Sequence, residues 1–432
     1  MSGAWLTYLA RCQHLLRQGK FVADFAYLLD EAIPGFIAPR PTQQPARPAG
    51  FDYDVLNAEV LLSRTTATGG RLTLPDGMSY RYLVLPYRPD AVLSPAVLRK
   101  VAELAKAGVT VIGPKSLAVP ATTLRDEALD AVVHADGLVP DIEFRDPSAG
   151  AKFDWIHRRD GAMDCYFISH QSTLSATAQI VFRVAGKQPE LWDAVTGAIR
   201  SLPEWREEGG RTIVPLRFEP RQSWFVVFRK DGHPPLKADN ARNFPVLKSV
   251  LEIGASWEVA FDAKWGGPER LKFEKLEDWT TRPEEGIRHY SGMATYKNSF
   301  EWKESAQDAG QVFLDLGAVM NLARIRLNGH DLGVVWTAPW RVDISSALKA
   351  GGNELEIEVV NLWPNRLIGD AALPKDKRFT VTNVRTYDTM ASGTFGCEKC
   401  EGRKKAGKPA DLLPSGLLGP VTLRASTRTD VK

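Results

Sequence analysis

ARIRLNGHDLGVVWTAPWRVDISSALKAGGNELEIEVVNL, residues 323–362, decides how the second half of the chain is read. Asn328 and Gly329 stand between two apolar runs, the sequence signal of a tight β-hairpin. Around them, WEVAF (257–261), RIRLNG (324–329), LEIEVVNL (355–362) and VTLRA (421–425) have strand composition. Residues 255–432 therefore read as an all-β domain, and residues 387–410 within it as a long loop.

Working towards the N-terminus, residues 231–254 are polar and Pro-bearing and read as a linker. Before them lie Phe153–Ser169, Ala178–Val184, Thr212–Phe218 and Ser223–Arg229, short β-type runs separated by the turn signals RDGAMD, TGA and EEGGR. Residues 148–230 are expected to form a small antiparallel β-sandwich. Earlier still the pattern alternates. Apolar strands at 20–29, Arg71–Leu74, Tyr82–Pro86 and VTVIGP (109–114) are interleaved with expected helices at Tyr53–Ser63, Ser94–Ala107 and Thr123–His134. Ser94 suits an N-cap, Pro95 the first helical position and Gly108 the residue just past the end. Strand–helix alternation of this kind predicts an open parallel, Rossmann-like α/β domain over residues 20–147. No strand is followed by G-x-G-x-x-G or a P-loop, so the domain reads as structural and not as a nucleotide site. Residues 1–19 read as an amphipathic helix with Trp5, Leu6, Leu9, Leu15 and Leu16 as apolar positions.

Composition narrows the function. The 432 residues carry 55 Lys plus Arg against 52 Asp plus Glu, a net charge of +3. That is too even for a nucleic-acid footprint. No apolar run reaches the roughly 20 residues needed to span a bilayer, and the first residues lack the pattern of a signal peptide. There is no G-x-S-x-G and no H-E-x-x-H. Cys397 and Cys400 form a lone C-x-x-C, half of a tetrahedral zinc site and so a weak metal candidate beside an incidental role. Acids such as Asp278, Glu284, Glu285, Asp343, Asp370 and Asp388 show no arrangement as an opposed pair.

The aromatic residues are more informative. Twelve tryptophans include Trp265, Trp279, Trp336, Trp340 and Trp363 near turn-like segments. Indole faces stack on sugar C–H faces, and planar polar side chains bind hydroxyls. Trp336, Trp340 and Arg341, with Trp363, Asn365, Arg366 and Asp370, are therefore candidate sugar-binding or domain-facing residues. The competing reading is that they are sandwich core.

The segment LNG-x-x-LG, W-x-x-P-x-R-V-D-I and L-x-x-G-x-N-x-L-x-I-x-V resembles the jelly-roll, galactose-binding-like domain of family 2-type glycoside hydrolases. FDAKWGGPERLKFEKLEDWTTRPEEGIRHYSGMATYKNSF (261–300), NLWPNRLIGDAALP (361–374) and LLPSGLLGPVTL (412–423) resemble the C-terminal part of glycoside hydrolase family 106 α-L-rhamnosidases. YDVLNAEVLLSR (53–64), LPDGMSYRYLVLP (74–86) and GKQPELWDAVTGAIR (186–200) resemble that family's middle region. The resemblance implies a part that follows a catalytic (β/α)8 barrel, with residues 1–19 as the helix left from the barrel's end. In the family the barrel holds two catalytic glutamates and a calcium ion. No position here matches those glutamates, so the expectation is a non-catalytic portion without cofactor. Its implied partners are a rhamnose-containing glycan and the barrel, in cis or in trans. The family is usually exported. The rival is a stand-alone carbohydrate-binding or scaffold protein.

Overall fold

The computed structural model describes residues 1–32, 37, 39–88, 90–230, 242–254, 256–303, 311–382 and 411–426. The chain divides into two compact units, Leu9–Lys237 and Met1–Tyr8 with Ala238–Lys432.

In the first unit, Phe25–Leu28 is buried at all four positions, as the middle of a sheet covered on both faces requires. Tyr53–Leu56 and Tyr82–Val84 flank it in parallel, and Thr110–Ile112 extends the sheet beyond Tyr82–Val84. The helix Pro95–Lys106 starts where Ser94 Oγ accepts from Val97 N, and it buries Val97, Val101 and Leu104. Gly108 follows with φ of +97°, a conformation open to a residue without Cβ.

Two expected helices are corrected. Within Tyr53–Ser63 only the later residues are helical, in Ala58–Arg64; Tyr53–Leu56 is a strand instead. Asn57 is extended and caps the helix, its side chain accepting from Val60 N at 2.9 Å, and the ladder to Phe25–Leu28 takes the residues before it. Within Thr123–His134 the helix covers only Leu129–Ala135. Arg125 instead extends the sheet, its N–H donating to Val111 and its carbonyl accepting from Gly113 N. The PDGMSY turn likewise contains the short strand Ser79–Tyr80, paired to Arg71–Thr73. The parallel α/β reading thus holds for one four-stranded sheet, and the Rossmann-like description reaches no further than that sheet.

The rest of this unit is antiparallel. A six-stranded sheet runs Lys20–Phe21, Phe153–Asp160, Met163–His170, Ser223–Arg229, Gln188–Trp192, Ile199–Ser201. A four-stranded sheet runs Arg206–Glu208, Arg211–Phe218, Ala176–Phe182, Ile142–Arg145. Lys20–Phe21 and Ile142–Arg145 lie before residue 148 in sequence yet pair within these sheets. Alternation along Phe153–Asp160 turns Trp155 and His157 inward. Full burial of aromatics such as Phe182, Phe225 and Phe228 contributes about 2–3 kcal/mol each.

One polar cluster sits inside. The His157 ring, wholly buried, has Nδ1 2.9 Å from Asp141 Oδ2 and Nε2 3.0 Å from Asp164 Oδ1. Tyr166 Oη donates to Asp141 at 3.1 Å, and Arg183 bridges Asp24 (2.8 Å) and Asp141 (3.3 Å). Arg159 and Lys187 close on Asp164. Every carboxylate here has a cation or an N–H, the condition for burying charge.

The second unit is a sandwich of two antiparallel sheets. Six strands run Leu271–Phe273, Trp257–Phe261, Met293–Trp302, Gly351–Val360, Leu322–Leu327, His330–Val335. Four run Leu247–Glu252, Thr422–Ser426, Val312–Asp315, Arg341–Asp343. The hairpin read at Asn328-Gly329 is present, with φ of +52° and +80° as its turn type requires. Burial alternates strictly along Leu322–Leu327, so Ala323, Ile325 and Leu327 face the core. Trp279 is fully buried and donates from Nε1 to Tyr296 Oη at 2.6 Å, which makes it core and not platform. The N-terminal helix is Gly3–Leu16; its Trp5 and Leu6 are exposed and only Cys12 is buried.

Candidate functional site

The sequence WPNRLIGDA forms its helix at Pro364–Ala371, with proline at the first position. Arg366 and Asp370, one turn apart, fall on one side of it and pair at 3.0 Å, both buried. Asp370 Oδ2 also accepts from Thr380 N at 2.8 Å and Thr380 Oγ1 at 2.6 Å. The Arg366 guanidinium lies 4.6 Å from the centre of the Phe379 ring. Asn365 Nδ2 donates to the Leu413 carbonyl at 2.7 Å and Ser415 Oγ at 3.0 Å, while its Oδ1 accepts from Leu413 N. These three polar residues point inward. Asn365 fastens the helix to Leu413 and Ser415, and Asp370 fastens it to Thr380. Beside them, His289 packs against Gly369, where a Cβ would come within 2.7 Å of it. Burial first, then Arg288 and Arg366, hold its pKa below the usual histidine value.

What this helix presents outward is aromatic. Trp363 is 50% exposed and Leu362 51%. The Trp363 ring meets Trp265 edge-on, centres 5.4 Å apart at 82°. Trp265 ends the short helix Ala263–Trp265, which Asp262 caps through Lys264 N at 2.9 Å. Lys264 Nζ lies 5.5 Å from the Trp265 ring centre. Gly266, at φ of +82°, lets Phe379 approach: a Cβ there would meet its ring at 2.7 Å. Leu362, Trp363, Trp265 and half-exposed Phe379 thus form an apolar platform with an ammonium at its rim. Such a surface stacks on a sugar's C–H face while leaving its hydroxyls in water.

The other sequence candidates lie elsewhere in this unit. Trp336 is half-buried against Tyr8, ring centres 5.2 Å apart. Trp340 is half-buried against the sandwich core, and its carbonyl accepts from Leu316 N. Arg341 lies 5.6 Å from the centre of the Phe313 ring. Among the described contacts none joins Trp336, Trp340 or Arg341 to Trp363. Lys264 and Phe379 were not picked out from sequence; each lies far along the chain from the tryptophan it accompanies, with no spacing that signals it. Cys397, Cys400 and Asp388 lie outside the described residues.

Most of the named acids are committed. Asp278 caps Trp279–Thr281, Arg282 forks both oxygens of Glu284, and Asp343 accepts from Ser345. Among the described residues no group of three His, Cys, Asp or Glu is placed to hold a metal, so none is assigned to calcium.

Residues 1–135 and 121–206 match the family pattern described as alpha-L-rhamnosidase, glycoside hydrolase 106. Residues 275–389 match the glycosyl hydrolase 2 galactose-binding domain-like pattern. A solved rhamnosidase from Novosphingobium sp. PP1Y is similar across 98% of this chain, with 30% identity and a TM-score of 0.81. A curated protein of Formosa agariphila, provisionally named a beta-glucuronidase, is 22% identical over 97% of this chain. The chain spans 41% of that rhamnosidase and 56% of the curated relative.

Proposed function

We propose that this chain is the non-catalytic, glycan-facing portion of an inverting α-L-rhamnosidase that acts on rhamnose-containing glycans. The observation that carries this reading is the likeness over nearly the whole chain to a rhamnosidase of which it spans less than half. The acids support it: inversion needs two carboxyl groups about 6.5–9.5 Å apart across the sugar, one free to take a proton and one to give it. Among the described residues, Asp278 instead caps a helical turn, and Glu284 and Asp370 hold arginines. In this reading the sandwich and the α/β unit frame a barrel supplied in cis or in trans, and Trp363 with Trp265 meets the sugar or the barrel. Hydrolysis of an aryl α-L-rhamnoside by the purified chain tests it. No turnover alone, with turnover once a family 106 barrel is added, is the expected result. Turnover by the chain alone that a single carboxylate substitution abolishes overturns it.

A second reading, a stand-alone carbohydrate-binding or scaffold protein, is favoured by the exposed Trp363 ring set against partly buried Trp265. It predicts saturable binding of rhamnosylated glycans that no added barrel alters.

A further inference from the structure

The Pro-rich loop before Tyr53 builds a cavity that none of the roles above uses. Arg40, Gln43, Arg47, Phe144, Phe153 and Trp155 are among the residues that line its volume of about 410 Å³, within the pocket range for a small ligand. The loop is pinned at several points. Tyr27 Oη donates to the Pro45 carbonyl at 2.9 Å. Arg40 Nη2 forks the two oxygens of Asp52 at 2.9 and 2.8 Å, and its Nη1 reaches Asp154 at 3.0 Å. Gly50 permits the close approach of loop to strand, since a Cβ there would sit 2.1 Å from the Ile142 carbonyl oxygen.

Two features of this wall point to a ligand. Phe144 and Phe153, both half-buried, stack face to face with centres 4.7 Å apart and planes at 5°, and Phe153 is backed by His170 and Phe218. Arg47 is half-buried, and among the described residues its only hydrogen-bond acceptor is the Phe51 carbonyl, taken by Nη1. The fork of donors on a guanidinium matches a carboxylate. Charge limits the choice. Arg40 and Arg47 together balance Asp52 and Asp154, which disfavours a dianionic phosphate, while Arg47 keeps guanidinium donors for a single carboxylate. Asp154, 56% exposed at the side chain, and Gln43 are at hand for hydroxyls.

We propose that this cavity binds one carboxylated pyranose, a hexuronate, with its carboxylate on Arg47 and its C–H face on the Phe144 ring. The whole chain titrated with D-glucuronate and D-galacturonate, alongside L-rhamnose, D-glucose and inorganic phosphate, tests this by calorimetry. Saturable binding of a uronate is expected, with the neutral sugars at least about tenfold weaker, the scale of a charge-assisted hydrogen bond. Arg47→Ala and Phe144→Leu should each weaken uronate binding, Arg47→Ala by about tenfold, while Trp363→Ala leaves it unchanged. Should Arg47→Ala fail to fold by its thermal melt, Arg47→Gln and Phe144→Leu decide. No saturable uronate binding overturns the proposal, as does equal binding of a neutral sugar. Phosphate binding as tight as uronate and indifferent to Phe144→Leu overturns it too.

Discussion

His157 and Tyr166 lie face to face in the core of the first sandwich, ring centres 3.9 Å apart and planes at 14°. The stack holds the imidazole edge-on to Asp141 and Asp164, so that both ring nitrogens meet a carboxylate. Only the imidazolium donates from both. His157→Gln removes the imidazolium from both buried carboxylates, leaving Asp141 with Arg183 and Asp164 with Arg159 and Lys187. We expect a loss of about 2–3 kcal/mol in unfolding free energy by urea titration. A loss under 1 kcal/mol would show that Arg183, Arg159 and Lys187 suffice.

The same cluster sets a pH dependence. Burial opposes protonation of His157, but Asp141 and then Asp164 outweigh it and raise its pKa. Its contribution is complete below the unfolded value of about 6.5 and is lost as pH rises through the raised folded value. Asp141 and Asp164 are lowered: burial resists, and His157 with Arg183 for Asp141, or with Lys187 and Arg159 for Asp164, prevails. Their contribution is complete above about 3.9 and is lost as pH falls through the lowered values. Stability should therefore peak at about pH 4–6.5 and decline on the alkaline side. Urea midpoints across pH check this, and His157→Gln should remove the alkaline decline. An unchanged profile in that variant would refute the assignment.

Arg366→Ala removes the cation from buried Asp370. The expected cost is about 3 kcal/mol or more. Arg366→Met with Asp370→Leu should recover most of it, because apolar isosteres need no partner. Thermal denaturation of the three proteins measures the difference.

Trp363→Ala should behave in the opposite way. The ring is half exposed and touches Trp265 at an edge, so stability should change by about 1 kcal/mol or less. Glycan-array binding should fall to background. Retained binding would move the sugar contact away from this platform.

Gly416 has φ of +102°, and a Cβ there would lie 2.4 Å from Trp279 Nε1. Gly416→Ala must strain the backbone and displace the indole from its bond to Tyr296. A loss of about 2–4 kcal/mol is expected by chemical denaturation.

Much of this was legible in the sequence where local chemistry decides. The Asn328-Gly329 hairpin, the Ser94 cap and the buried run at Phe25–Leu28 each follow from residue type and period. Tyr53–Leu56 was misread because a strand in a parallel ladder is settled by its partners, Phe25–Leu28, and not by its own composition. The same holds at Arg125, recruited to a sheet edge by Val111 and Gly113. Within the candidate site, Trp363, Asn365, Arg366 and Asp370 stood out by residue type, but the helix Pro364–Ala371 that carries the polar three did not. Which side those residues face depends on Leu413, Ser415 and Thr380, contacts made across sequence gaps that no period reports. Trp363 could be picked out; the inward turn of Asn365, Arg366 and Asp370 could not.

Lys20–Phe21 and Ile142–Arg145 bracket the parallel sheet in the chain and end as outer strands of the antiparallel ones. Whoever clones residues 148–230 alone would strip both borders from that sandwich and expose raw ladder edges to aggregation. A fragment meant to fold should therefore keep Lys20–Phe21 and Ile142–Arg145 with the strands they border.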